Sequence, residues 1–356
     1  MRADYIRLGV IGMGPNNMAS TLALVEEVPD LRFRVQAICT RREEVLELCQ
    51  RKFQVPFGTT DAAALAARDD VDVVAVFSPD HLHAEHCLLA LAHGKHVICT
   101  KPMVTRLEDA QRLVTLVRDR RLKFLVGQTM RFDRQFMMAR KLHADGDLGD
   151  LIAVESHYVH DMRPVFAFTP WRLRAPQDLM FGGCVHCLDV LRAFGGDVDS
   201  VHALARRGNL TPEYPLPDNF FLNVRFQSGI IGRVSGLYGI VHPPLPMMQF
   251  GLYGTAGSLQ AEFTDNEPGQ VRVVLDKLAG HRPLISTFEP ERDSSAYGHG
   301  ATVIRYLRHF QECLDQDQEP SPGVLDGAKS IAAGVAAWES VRTGQAVKVR
   351  NDFDGA

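Results

Sequence analysis

An apolar run, Ile6–Ile11, passes directly into Gly12-Met13-Gly14-Pro15-Asn16-Asn17 and then into the helix-compatible stretch 18–27. Strand, glycine turn and helix in immediate succession leave few folds open. They bring the free N–H groups and the dipole of a helix start to the carboxyl end of a strand, where an anion is held. Gly12 permits the tight turn, and Gly14 lets the backbone approach a pyrophosphate. The third glycine of such a pattern normally serves close helix–strand packing. Asn17 stands there instead, which weakens the pattern without removing the phosphate contacts. Gly12, Gly14, Pro15, Asn16 and Asn17 are therefore the expected cradle of a dinucleotide.

The same grammar repeats. Residues 32–39 read as a second strand and 43–52 as a helix, and Asp61 caps a short helix over 62–68. Residues 71–77 are uniformly apolar past Asp72, as a parallel strand buried on both faces should be. A helix runs from about His83 to Ala92, and Gly94 ends it. The run His96-Val97-Ile98-Cys99 must stop at Pro102, which cannot continue a ladder. Thr105 and Glu108 have capping-box spacing for a helix over Leu107–Arg120, and 123–127 form the last strand. Such alternation gives a doubly wound parallel sheet, with ligands outside the carboxyl ends of its strands. Lys101 stands at one of those ends. At the end of the second strand, where an acid would bind a ribose hydroxyl, the chain reads Thr40-Arg41-Arg42. A hydroxyl and two guanidinium groups suit a 2′-phosphate, so NADP is favoured over NAD. The same arginines also suit the first turn of the following helix. His81, His83 and His86 lack a carboxylate or cysteine in ligand register, so no metal is expected.

After Gly127 the pattern changes. A helix over 133–144 leads through Gly146 and Gly149 into Leu151–Val159. Further strand-like runs follow at 200–205, 220–226, 230–238, 249–253, 258–263 and 270–275, and helices at 301–316 and 325–342 close the chain. Short runs with few intervening helices predict a mainly antiparallel sheet with one face free. The chain thus divides into a Rossmann domain, residues 1–127, and a substrate-binding domain, 128–356. The chemical centre of the second is Gly182-Gly183-Cys184-Val185-His186-Cys187-Leu188-Asp189. If the glycines make a turn, His186 opens a helix whose positive end keeps its ring neutral near pH 7, as a general base requires. Asp189 shares that helix face and would orient the ring.

Composition excludes several classes. The 356 residues are 46% apolar and 23% charged, with a formal net charge of −4. That balance gives no electrostatic reason to expect nucleic acid or an anionic membrane. No apolar run approaches the roughly 20 residues of a membrane span, and the N-terminus has no apolar signal-peptide core. Seven scattered cysteines suit a reducing cytoplasm better than a disulfide framework.

Together these pieces resemble the Gfo/Idh/MocA family of NAD(P)-dependent oxidoreductases. The resemblance rests on Gly12-x-Gly14, Ser78-Pro79-x-x-x-His83, Gly94-Lys95-His96-Val97, Lys101-Pro102, Gly127-Gln128 with Arg131-Phe132, and Gly146-x-Leu148-Gly149. Trp171-Arg172, His186-x-x-Asp189 and Ala337-x-Glu339-Ser340-x-x-Thr343-Gly344 complete it, covering nearly the whole chain in order. The resemblance implies a Rossmann domain followed by an α/β domain with a large open sheet, through which a homodimer or homotetramer forms. It implies that Lys101 is catalytic and that its bond to Pro102 is cis. The family's Glu-Lys-Pro motif maps onto Thr100-Lys101-Pro102, and its Asp-x-x-x-His pair onto Gly182 and His186. Two carboxylates are thus missing, and Lys101 and His186 are left to do the proton work.

The expected reaction is hydride transfer between a nicotinamide cofactor and a secondary alcohol or ketone of a sugar, polyol or related cyclic substrate. Cofactor contacts are expected from Gly12, Gly14, Pro15, Asn16, Asn17, Thr40, Arg41, Arg42, Ser78, Pro79, His83, Lys101 and Gln128. Substrate contacts are expected from Arg131, His157, Tyr158, Trp171, Arg172 and His186. Two rivals on this fold are a glycoside hydrolase with tightly held NAD, which shows no net redox change, and a regulator that binds dinucleotide without turnover.

Overall fold

The computed structural model describes residues 5–12, 28, 30–263, 269–278, 280, 282–288 and 300–353. Gly14, Pro15, Asn16, Asn17 and the helix expected at 18–27 lie outside the described residues. The chain forms two compact units. The first comprises Met1–Phe132, Glu291–Ala328 and Phe353–Ala356, and the second Asp133–Pro290 and Lys329–Asp352.

The first unit is built on six parallel strands: β1 (Ile6–Ile11), β2 (Phe33–Cys39), β3 (Phe57–Thr59), β4 (Val73–Val76), β5 (His96–Thr100) and β6 (Phe124–Gly127). Their order is β3-β2-β1-β4-β5-β6, so the winding reverses between β1 and β4. All four side chains of β4 are buried, as continuous valine and alanine require of a strand covered on both faces. Helices α1 (Glu43–Phe53), α2 (Ala62–Ala66), α3 (His83–Ala92) and α4 (Leu107–Arg120) connect the strands. On α4, Ala110, Leu113, Val114 and Val117 are buried at the spacing of one helical face.

Asp61 caps α2, accepting a 2.8 Å hydrogen bond from the Ala63 N–H. The capping box expected at Thr105 does not start α4. Arg106, in extended conformation, holds the cap position, and among the described residues its side chain makes no capping hydrogen bond. A guanidinium can only donate, so it has nothing to offer the free N–H groups there.

The second unit carries a nine-stranded sheet. Its strands are β7 (Leu151–Val159), β8 (Val198–Arg206), β9 (Asn219–Phe226), β10 (Ile231–Leu237), β11 (Met248–Gly254), β12 (Gly257–Phe263), β13 (Gly269–Leu275), β14 (Leu284–Phe288) and β15 (Val347–Lys348). The order is β14-β13-β12-β11-β7-β10-β9-β8-β15, antiparallel throughout except for the parallel pair β7 and β10. Strand β9 shows why one face stays open. Phe220, Leu222, Val224 and Phe226 are buried, while the alternate residues face outward. The other helices are α5 (Arg134–Ala144), α6 (Arg163–Phe168), α7 (Trp171–Arg174), α8 (Val185–Gly195), α9 (Gly300–Gln316) and α10 (Val324–Thr343). Sequence alone gives 301–316 to the second domain, yet α9 belongs to the first unit. Its Val303, Tyr306, Leu307 and Phe310 join Ile6, Leu8 and Val10 in one hydrophobic core.

Gly182 and Gly183 do not make a turn. They lie in a π-helical turn, Met180–Cys184, that runs straight into α8. The glycines are there because side chains crowd them. A Cβ on Gly183 would lie 2.0 Å from the Tyr238 hydroxyl, and one on Gly182 would lie 2.9 Å from Gln177 Cδ. Among the described residues, no helix is long and apolar enough to cross a membrane.

Candidate functional site

The ends of β1, β2 and β4 converge on Gly12. Its φ is +97°, and a Cβ there would lie 2.4 Å from the Ser78 nitrogen and 2.5 Å from the Phe77 carbonyl carbon. Only glycine fits such a contact between two backbones. The Gly12 N–H donates to the Cys39 carbonyl at 2.9 Å, and the Phe77 N–H donates to that of Ile11 at 2.8 Å. This junction is the topological switch point of the sheet, where an open parallel sheet receives a dinucleotide. The glycine-only approach of β1 to β4 fits a pyrophosphate lying across the strand ends.

Around that junction the expected residues differ in access. Thr40, Ser78, His83 and Gln128 are buried, Pro79 and Lys101 are half-buried, and Arg41 and Arg42 are exposed. The Lys101–Pro102 bond is cis. His83 is sealed inside, with each ring nitrogen 2.7 Å from a backbone carbonyl oxygen, those of Pro102 and Ser78. It therefore reaches a cofactor only through the loops it touches. His86, which the sequence reading left without a role, bonds the Ser78 hydroxyl through Nδ1 at 2.8 Å, and burial pushes its pKa down. Arg131 donates to Asp326 at 3.4 Å and to the Ser321 hydroxyl at 3.5 Å, so its guanidinium helps to tie the 321–326 segment to the first unit.

In the second unit His186 is 5% exposed and Asp189 fully buried. His186 does not stand at a free helix end. The π-helical turn precedes it, and the Val185 N–H already donates to the Gly183 and Met180 carbonyls. The positive end of α8 is therefore displaced from the imidazole, and the argument that it holds the ring neutral falls away. Asp189 accepts a hydrogen bond from the Ser330 hydroxyl at 3.3 Å. Ser330 in turn accepts one from Arg192 at 3.0 Å, and Arg192 pairs with Asp197 at 3.2 Å. This buried chain anchors the helix that carries His186.

His157 and Tyr158, grouped as substrate contacts, are sent to opposite faces by the strand pleat. Tyr158 faces α8 and meets Tyr238 edge-on at 5.3 Å. His157 lies on the other face, with Nε2 on the Pro246 carbonyl at 2.9 Å, and burial pushes its pKa down. The pair cannot line one pocket. Trp171 and Arg172 do act together, because the guanidinium lies 4.5 Å from the indole ring centre. Arg172 also donates to Thr169 Oγ1 at 3.0 Å and to the Gln177 side-chain carbonyl. Gln177, which sequence reasoning missed, is buried over Gly182, four residues before His186. No local pattern marks it.

A switch point that only glycine fits, at the carboxyl ends of a parallel sheet, is the place where such a sheet takes a dinucleotide. The model of an oxidoreductase family with an NAD-binding Rossmann fold matches residues 6–128, and the model of that family's C-terminal alpha/beta domain matches 140–349. The chain belongs to this Gfo/Idh/MocA family and carries its NAD-binding fold. Levoglucosan dehydrogenase from Pseudarthrobacter phenanthrenivorans is 23% identical over 363 residues, covering 90% of this chain and 92% of that protein. The 1,5-anhydro-D-fructose reductase of Ensifer adhaerens is 27% identical over 294 residues, covering 82% and 83%. A structure of levoglucosan dehydrogenase in complex with NADH superposes with a TM-score of 0.86 at 21% identity, covering 98% of this chain and 100% of that one.

Proposed function

We propose that this chain is a nicotinamide-dependent dehydrogenase or reductase acting on a secondary alcohol or ketone of a sugar, polyol or related cyclic substrate. The observation that carries the reading is Lys101, half-buried beyond the carboxyl end of β5 on a sheet whose switch point admits only glycine. Family membership and relatives that act on levoglucosan and 1,5-anhydro-D-fructose support the substrate class. When bound, the nicotinamide accepts or donates the hydride. The Lys101 amine bonds the reacting oxygen and stabilises its developing negative charge. His186 accepts or returns the proton. Trp171, Arg172 and Tyr158 fix substrate hydroxyls, with Asp189 holding α8 in place. Replacing lysine by methionine keeps the length and removes the charge. Lys101→Met is expected to lower kcat by about 10²–10⁴-fold, the range of a positioned proton-transfer group. Turnover within a few-fold of wild type would sink the assignment.

NADP is the preferred cofactor on this reading. Arg41 and Arg42 are exposed just past β2, and no carboxylate stands between Cys39 and Arg42. The open face of the second unit's sheet is the interface of a homodimer or homotetramer. Leu204 and Phe221, opposite each other on β8 and β9, are 61% and 52% exposed, and Ile231 on the same face is 54% exposed. Such an apolar face marks an association site. Sedimentation velocity should give two or four times the 39.5 kDa chain mass, and a single-chain species would refute the interface. The scattered, buried cysteines suit the cytoplasm.

A further inference from the structure

His83 begins α3, is fully buried, and has two carbonyl oxygens at hydrogen-bond distance. Nδ1 lies 2.7 Å from the Pro102 oxygen and Nε2 lies 2.7 Å from the Ser78 oxygen. A carbonyl oxygen can only accept. Neutral imidazole carries one N–H and one lone pair, so in either tautomer one carbonyl would face a lone pair at contact distance. Both contacts are satisfied together only when both nitrogens are protonated.

The two carbonyls belong to the two segments nearest the proposed chemistry. Ser78 ends the β4 segment against Gly12, and Pro102 follows Lys101. We propose that His83 is held as an imidazolium at neutral pH and that it clamps the Ser78 and Pro102 carbonyls, making it a positioning residue for Lys101. The charge assignment stands on the hydrogen-bond geometry alone, whereas its bearing on catalysis rests on the role proposed for Lys101.

The surroundings are mixed. Burial opposes the charge, while Asp80 in the preceding turn and the Pro102 carbonyl favour it. The start of α3 also opposes the charge. His86, one turn along α3, is a second basic group nearby, and its own pKa is pushed down. Cys87 on α3 and Cys99 face the same interior, and burial pushes the Cys99 thiol well up. Asp80 is thus the one acidic side chain among these groups.

The test uses the full-length protein labelled with nitrogen-15 histidine. At pH 7.5 both His83 nitrogens should show the shifts of protonated imidazolium, assigned by their loss in His83→Gln. One nitrogen at the unprotonated shift would overturn the charge assignment, whatever the enzyme turns over. In His83→Gln, amide hydrogen exchange in residues 99–104 should rise at least tenfold, and unchanged exchange would overturn the clamp. Gln keeps a donor for one carbonyl and Phe keeps none. Turnover should therefore fall at least tenfold in His83→Phe and less in His83→Gln. Equal turnover in all three would refute the positioning of Lys101. If neither wild-type protein nor variants turned over any sugar or polyol, while the imidazolium and the exchange change were both present, the clamp would stand and the dehydrogenase reading would fall.

Discussion

Gly183 is a point where a single methyl group should be felt. Its Cβ would lie 2.0 Å from the Tyr238 hydroxyl oxygen and 2.3 Å from the ring carbon that bears it. Non-bonded heavy atoms of this kind settle at about 3.5–4.0 Å, so a shift of more than an ångström is required. Tyr238 has nowhere to go. It is 2% exposed and held by Tyr158 edge-on at 5.3 Å and by Phe220 at 6.5 Å. Interiors packed this densely transmit strain rather than absorb it. Overpacking of a core costs about 1–3 kcal/mol, and the depth of this overlap argues for the upper end. For a folding unit of this size, about 3 kcal/mol corresponds to a fall in Tm of roughly 6–12 °C. Differential scanning calorimetry of Gly183→Ala reads that shift directly. The clash is with one ring, so removing the ring should relieve it. Tyr238→Leu is destabilising alone, but the double variant should be more stable than the sum of the two losses by about 1–2 kcal/mol. A Gly183→Ala protein melting within 2 °C of wild type, or a strictly additive double variant, would refute the packing account. Because His186 lies three residues further on, the displaced turn should also lower kcat at temperatures well below the new Tm.

Two further outcomes follow from charge. Replacing Arg41 and Arg42 together by serine should weaken NADPH binding about 10–100-fold in a fluorescence titration and leave NADH binding within about threefold, the discrimination expected from losing phosphate-pairing guanidinium groups. Equal loss for both cofactors would remove the NADP preference. Asp161 is buried, and the Arg163 guanidinium with two backbone N–H groups holds its carboxyl far below the usual carboxylate range. A depressed carboxylate contributes stability that is present above its unfolded pKa, about 3.9, and is lost as pH falls towards the folded value. The stability gap between wild type and Asp161→Asn should therefore be flat from pH 5 to 7 in urea melts and shrink below about pH 4; a gap that widens in acid would contradict this sign.

What the sequence made legible follows from burial. Ile6–Ile11, Leu107–Arg120 and Leu151–Val159 have the bounds expected of them: the first is apolar but for Arg7, the second carries a regular buried stripe, and the third is bounded by Gly149 before it. β3 is only three residues long, and β15 only two, too short to show a period. β14 is an edge strand whose Leu284 and Ile285 are exposed, so it lacks the inward alternation that marks a half-buried strand. The stripe on α9 predicts a helix with a buried face, but nothing local says which core receives it. The glycine pair at 182–183 shows a related limit. Glycine reports that a Cβ is unwelcome, and a positive φ and a crowding neighbour are equally good reasons. At Gly12 both hold, and at Gly183 only the second. The pairing of His157 with Tyr158 overlooked the period of two, which decides faces in any strand.

Gly182 is where the resemblance implies an aspartate, and the structure gives that absence a physical form. The space beside it is occupied, since Gln177 Cδ lies 2.9 Å and its amide nitrogen 3.0 Å from where a Cβ would begin. Gln177 is not a loose filler. Its side-chain carbonyl accepts from Arg172, its backbone carbonyl accepts from the Tyr214 hydroxyl, and its N–H donates to the Arg172 carbonyl at 3.1 Å. A carboxylate at 182 would have to displace an amide that Arg172 holds, on a residue whose backbone two further bonds fix. It would also sit near a guanidinium that already spends donors on Thr169 and Gln177 and stacks on Trp171. Restoring the aspartate alone would therefore require the Gln177 side chain to give way. The amide and the guanidinium beside Gly182 can donate to a substrate oxygen but cannot take up a proton from it.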